Sequence, residues 1–324
     1  MAYVAGDTIL DDEFNIFVGS STSPFGYNHF AGVGATVYGL GQTEIGLVNA
    51  TSTTITAAQW NSLLTGMANI GNHTNDSLTA RTAVTAGDTI GIKSAIAADL
   101  VSLAAEVAGG STSATALTTS SVLQTVTSGS EGWDASATQE VSITFANANN
   151  ARFFFNGGGE MRITVGIVAA AESDKDTSFK DLGTALGNLD INSLTSTRSG
   201  SGETLTTNGL ALGFQDLTTS YQVIIKLTSD NSDYTSNSIT LSAKTVGGNG
   251  NSGNATAVHV KMVALDGAND TQFSANNLDS VAVAAKDTPK MVTKLSTITP
   301  NTTQGLGTAF GISASATVSN AVAN

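Results

Sequence analysis

The run Gly248-Asn249-Gly250-Asn251-Ser252-Gly253 has the GxGxxG spacing of a dinucleotide-binding loop. Such a loop needs a strand before it and a helix after it, because the helix N-terminus holds the pyrophosphate. Here Ala255 to Leu265 alternates with period two, so a strand follows, and the run reads as a flexible hairpin loop. Asp174, Asp176 and Ser178 imitate the first three ligands of a calcium loop. The sixth and twelfth positions hold Phe179 and Ala185 where that loop requires glycine and a bidentate glutamate, so the match fails. Asp230, Asn231 and Asp233 could form a looser calcium site, against the plainer reading of a polar turn. His29, His73 and His259 stand apart, without the i, i+4 spacing that puts two metal ligands on one helical face. His259 takes the solvent-side phase of its strand, and His73 reads as a loop or cap contact. No GxSxG elbow supports a serine hydrolase, and zero cysteines exclude thiolate metal sites, disulfides and a cysteine nucleophile. Glu140 and Glu160 could be paired as glycosidase carboxylates, but two acids chosen freely from 26 carry no information. Arg152 reads as a stem packed on an apolar face with its head on a carboxylate such as Glu160 or Asp176.

The elements that must position these residues change character along the chain. Residues 1–50 are glycine-rich and irregular, with scattered aromatics (Phe14, Phe17, Phe25, Tyr27, Phe30, Tyr38), and read as an arm. Thr56 and Gln59 form a capping box before a helix at about Ala57–Ile70, with Ile55 and Trp60 as a hydrophobic staple and Gly71 as the stop. A second helix spans about Ile92–Val107 and ends at Gly109–Gly110. Ala-Gly-Asp-Thr-Ile occurs at Ala5–Ile9 and again at Ala86–Ile90, a hint of a degenerate repeat. Residues 111–130 read as a linker. Beyond it the period becomes two: Val141, Ile143, Phe145; Met161, Ile163, Val165; Tyr221, Val223, Ile225, Leu227; Ile239, Leu241, Ala243; Val258, Val260, Met262, Ala264. Five alternating runs between Gly/Ser/Asn/Asp clusters predict a sandwich or barrel.

Composition narrows the function. Charged residues are 12% of the 324, with 13 Lys plus Arg against 26 Asp plus Glu and a net charge of −13. That balance disfavours nucleic acid and anionic membrane surfaces as partners. No stretch is long and apolar enough for a membrane span, and Met1–Phe14 is not expected to act as a secretory signal. Few charges, with Ser, Thr, Gly and Ala throughout, suit flat contacts with neighbouring protein.

Four blocks carry a family resemblance: Tyr38-Gly39-Leu40-Gly41-Gln42-Thr43 with Ile55-Thr56-Ala57-Ala58-Gln59-Trp60-Asn61-Ser62-Leu63; Ala151-Arg152-Phe153-Phe154-Phe155-Asn156-Gly157-Gly158-Gly159-Glu160-Met161-Arg162-Ile163; Lys175-Asp176-Thr177-Ser178-Phe179; and Gly213-Phe214-Gln215-Asp216-Leu217-Thr218-Thr219. In this order they resemble virion structural proteins of contractile-tailed marine cyanophages and their relatives. The chain departs from the pattern by a second helical unit around Asn75–Val107 and by a single β-block.

The resemblance implies a non-catalytic particle protein of a tail, baseplate or fibre. The expected fold is mainly β: an antiparallel β-sandwich or jelly-roll-like domain, a small helical N-terminal region and extended arms. The expected division is an irregular arm (1–50), a two-helix region (51–110), a linker (111–130), a sandwich (131–266) and a β-like or extended segment (267–324). Expected partners are copies of the chain and other virion proteins, with no nucleic acid, no membrane insertion, no cofactor and no metal. The protein would be assembled in the host cytoplasm and reside in the virion. Alternatives are a capsid or neck decoration protein, or a module binding host-surface carbohydrate. For carbohydrate, Trp133 and Tyr234 are the contact candidates, ahead of Tyr221, whose strand phase points inward.

Overall fold

The computed structural model describes residues 11–19, 26–31, 40, 42–48, 55–88, 93–120, 122, 124–127, 136–168, 174–193, 196–207, 217–267, 290–300 and 314–323. The chain forms two compact units: 1–118 with 152–159 and 299–312, and 119–151 with 160–298 and 313–324.

The first unit is helical. It contains α1 (Asp11–Val18), α2 (Tyr27–Ala31), α3 (Ala57–Thr74) and α4 (Lys93–Ala108). The capping box at the start of α3 is present as its sequence predicts. The Thr56 side chain accepts from the Gln59 amide, and the Gln59 side chain accepts from the Thr56 amide. The helix runs past Gly71, however, and stops at Asn75, whose φ of 61° is left-handed. Gly71 is kept small by packing, because an added Cβ would meet the Leu78 side chain. Trp60, Leu63, Met67 and Ile70 of α3 pack with Ile96, Leu100 and Leu103 of α4.

The first fifty residues are not uniformly irregular. Phe14, Phe17, Val18, Tyr27 and Phe30 are buried in that same core, and the Phe14 and Phe17 rings lie 6.2 and 6.4 Å from Trp60. Four of the six aromatics that looked scattered share this core, so burial rather than local propensity orders α1 and α2, while Phe25 and Tyr38 lie outside the described residues. Ala5–Ile9 lies outside the described residues, whereas Ala86–Asp88 forms a turn in which Asp88 accepts from the Thr85 amide and hydroxyl.

Four side chains bind extended segments to these helices at two points each. Asn15 donates to the Val48 carbonyl and accepts from the Val48 amide, both at 2.8 Å. Asn28 does the same with Ile45, and Asn61 with Val84, all at 2.9 Å. Asp99 accepts from the Thr79 amide and hydroxyl and pairs with Arg81 at 2.5 Å. Each carboxamide replaces one rung of a β-ladder, so the segments keep their backbone bonds without a neighbouring strand.

The second unit is an antiparallel β-sandwich. The strands are β1 (Leu117–Thr119), β2 (Gln124–Thr127), β3 (Ser136–Phe145), β4 (Glu160–Val168), β5 (Asn188–Ile191), β6 (Ser196–Arg198), β7 (Thr204–Thr207), β8 (Gln222–Thr228), β9 (Ser238–Val246), β10 (Ala257–Leu265), β11 (Lys290–Pro300) and β12 (Ala314–Ala323). One sheet runs β1-β11-β4-β5-β6, with β2 also on β11; the other runs β12-β3-β10-β9-β8-β7. The span read as a linker therefore contributes strands, and so does the C-terminal span, where β11 and β12 join different sheets.

The inner faces are the alternating runs of the sequence: Val141, Ile143, Met161, Ile163, Leu241, Val260 and Met262 are wholly buried, and Leu295 of β11, outside those runs, joins them. Gln139 and Thr293 form a polar pair between the sheets. Gln139 of β3 donates to the Met291 carbonyl of β11 at 2.8 Å and accepts from the Thr293 hydroxyl at 2.5 Å. A buried amide with both ends satisfied fixes how the two sheets face each other. Helix α6 (Asp174–Leu186) packs against β4 of one sheet and β8 and β9 of the other. Its Lys175 forms a fully buried pair with Asp266 at 2.5 Å. The residues that imitate a calcium loop thus belong to a helix, whose backbone cannot wrap an ion as that loop does.

Helix α5 (Ala148–Asn156) carries the aromatic block. Phe153, Phe154 and Phe155 are all buried, and the last two meet edge to face at 5.1 Å. The turn at Gly157–Gly159 follows, where a Cβ on Gly159 would overlap the Phe154 ring.

Candidate functional site

The densest polar constellation lies on the outward face of the β12–β7 sheet. Side chains of β3, β9 and β10 alternate, so those that leave the core together form cross-strand rows. His259 stands opposite Ser142 and Lys244, and Lys261 opposite Glu140 and Ser242. His259 Nδ1 lies 2.6 Å from a Glu140 carboxylate oxygen.

Tyr221 completes the group. Pairing between β8 and β9 shifts register between Val223 and Ile225. The four residues at and just before β8 that read as one inward set are therefore split. Ile225 and Leu227 face the core, while Tyr221 and Val223 precede the irregularity on the outer side. The Tyr221 ring reaches under two ammonium groups, with Lys244 Nζ 4.5 Å and Lys261 Nζ 4.4 Å from its centroid. Its hydroxyl is covered and directed toward Glu140, short of full hydrogen-bond geometry.

Burial, and then the neighbouring Glu140 carboxylate, raise the Tyr221 phenol above its ordinary pKa. Burial also opposes the charge on Glu140. The Tyr221 hydroxyl, the His259 hydrogen bond and the charges of His259 and Lys244 outweigh that burial and hold the carboxylate below its usual range. The result is a face with one satisfied carboxylate and a cluster of basic groups held flat on an aromatic ring. It suits recognition of an anionic surface by charge.

The helical unit has a cleft of about 660 Å³ between α3 and the segment after it. Asn72, Asn75, Asp76, Ser113 and Thr115 supply polar walls, and Leu64, Ala68 and Leu78 an apolar strip. Arg81 reaches the same cleft while paired with Asp99.

The other sequence candidates scatter. Trp133 lies outside the described residues. Tyr234 sits half-buried in the β8–β9 turn, where its amide donates to the Asn231 carbonyl at 2.9 Å. In that turn Asp233 donates its amide to Asn231 Oδ1, and the Asp230 amide donates to Glu203 at 2.6 Å. Among the described residues no group of three or more His, Asp or Glu side chains is arranged to hold a metal ion.

Glu140 and Glu160 are not brought together. They belong to different sheets, and Glu160 accepts from Asn192 while burial raises its carboxyl pKa. His73 is no exposed loop residue. It lies in the last turn of α3, wholly buried, with Nε2 2.5 Å from the Gly157 carbonyl oxygen. His259 does face outward, as its phase indicates. The Gly248–Gly253 run is a connection between β9 and β10 with a short 3-10 turn, followed by a strand.

Sequence reasoning missed the Tyr221 cluster because period-two counting was carried across the irregularity in β8. The usable signal was Lys244 and Lys261 falling in the outward phase of adjacent strands, in a chain with few cations. Compared with known proteins, the chain matches no family model, no curated protein and no solved structure.

Proposed function

We propose that this chain is a phage virion structural protein that assembles by self- and partner-association in a tail, baseplate or fibre sub-assembly. The observation that supports it most is the character of the sandwich's outer face. Thr138, Thr144 and Thr240 present small uncharged groups around the Tyr221, Lys244 and Lys261 cluster, and such positions bury against protein at small desolvation cost. The four sequence blocks that resemble cyanophage virion proteins point the same way, as does the scarcity of charge along the chain. Immunogold electron microscopy of lysate particles, with antibody against residues 130–265, tests the reading. Label on the distal tail supports it, label on capsid or neck supports decoration instead, and no label on any particle with accessible antigen refutes both.

A second reading, recognition of host-surface carbohydrate, is favoured by the polar cleft beside α3. Amide, carboxylate and hydroxyl groups around an apolar strip match the hydroxyls and C–H faces of a sugar. Asn72 is exposed there, and Asn72→Ala should weaken adsorption to host cells if the cleft is used. Unchanged adsorption would remove this reading's main support.

A further inference from the structure

We infer that copies of the chain associate head to tail, the lysine-bearing outer face of one copy receiving the acidic β8–β9 turn of the next. The inference deepens the self-association proposed above and rests on it.

With 26 acidic and 13 basic side chains, two copies repel at long range unless cations are concentrated where they meet. Several cations are already committed within the chain. Arg81 pairs with Asp99, Arg162 holds Asp190 through two bonds of 2.7 Å, and Lys175 is buried with Asp266. Lys244 and Lys261 differ. Their ammonium groups both rest on the Tyr221 ring, and the one carboxylate among them, Glu140, is already paired with His259. A cation held on an aromatic face keeps its full charge toward a partner, and its side chain has already lost most of its freedom.

The complementary element is the turn Ser229–Asn237. Asp230 and Asp233 are exposed on it, and the Glu203 carboxylate lies against Asp230. The turn is internally braced: Ser229 donates its amide to the Asn237 carbonyl at 2.9 Å, and Asn231 donates its amide to the Ser229 hydroxyl at 3.2 Å. Burial, together with the charges of Asp230 and Asp181, raises the Glu203 carboxyl pKa, the mark of crowded negative charge. It is a rigid acidic tip.

Tip and lysines lie at opposite ends of one hairpin. Ser238 opens β9 and Lys244 stands six residues further on, about 20 Å along an extended strand. A chain cannot fold its own turn onto its own lysines, and a second copy carries the same acidic turn free to reach them. Two different patches then meet, a heterologous contact that closes a ring or extends a filament according to the rotation between copies.

Sedimentation velocity on the full chain, in low and high salt, tests this with Lys244→Glu/Lys261→Glu and Asp230→Lys/Asp233→Lys variants whose circular dichroism matches the parent. The expected result is association of the parent in low salt that is lost in high salt. Each double variant alone should associate at least tenfold more weakly. An equimolar mixture of the two should associate again, because the reversed face of one variant meets the reversed tip of the other, and the remaining face and tip are the native pair. Parent oligomers that ignore salt and survive both reversals would overturn the head-to-tail contact and leave self-association standing. A parent monomeric at its highest soluble concentration would overturn both.

Discussion

The helical unit and the sandwich solve the same problem by different means. In both, extended backbone must be hydrogen-bonded before it can be buried. The sandwich uses neighbouring strands: β10 exchanges bonds with β3 on one side and β9 on the other along its whole length. Among the described residues no strand pairs with Ile45, Val48, Thr79 or Val84, and Asn28, Asn15, Asp99 and Asn61 reach out from helices instead. A ladder spreads its bonds over many residues. A bracket concentrates them in one side chain, which makes single substitutions more costly in the helical unit at equal exposure.

The sandwich has one point that breaks this rule, and it gives the largest expected effect. Lys175→Met strands the buried Asp266 carboxylate and should cost about 3–5 kcal/mol in urea unfolding, whereas Lys175→Met with Asp266→Leu should recover most of the loss. Next comes Asp99→Ala, which leaves Arg81 and Thr79 without their acceptor; a loss of about 2–4 kcal/mol is expected. Asn61→Ala removes two bonds to Val84 and should cost about 2 kcal/mol, with hydrogen exchange accelerating at the Val84 amide while β10 amides stay protected.

A smaller effect is expected from pH. Burial depresses the pKa of His73, against a partly opposing bond to Gly157. Below about pH 6.5 the unfolded histidine takes up a proton that the folded one refuses. Stability is therefore full above that pH and declines as pH falls beneath it. His73→Gln, which keeps a donor toward Gly157, should flatten the slope of urea midpoints across that window. The smallest effect is on the ladder itself: Thr240→Ala, on the outer face of β9, should change stability by under about 0.5 kcal/mol. A cost near that of Asn61→Ala would erase the contrast between brackets and ladders.

Much of the sandwich was legible because period two is a local signal. The inward residues of β3, β4, β9 and β10 were readable from their alternation, and the Thr56–Gln59 cap from four consecutive residues. What escaped depended on distance. Asn15 and Val48 are 33 residues apart, Asn61 and Val84 are 23 apart, and nothing in a window the size of a helix links them. A trace does exist. Asn15, Asn61 and Asp99 sit inside helices, where such residues are poor formers and need another reason to be kept. The outward cluster of Tyr221, Lys244, Lys261, Glu140 and His259 was hidden similarly, since its members come from four places between 140 and 261 and one register shift inverts the reading of Tyr221.

The place of β3 in its sheet also sets a timetable for the chain's synthesis. Both neighbours of β3 follow it in the sequence, and the His259–Glu140 contact joins residues 119 apart. At about 5–20 residues per second, β3, bearing Val141, Ile143 and Phe145, is made roughly 6–24 s before β10 is made to pair with it. Slower translation lengthens that exposure, so the soluble yield of the nascent protein should respond to translation speed and chaperone supply more than the finished sandwich's stability would suggest.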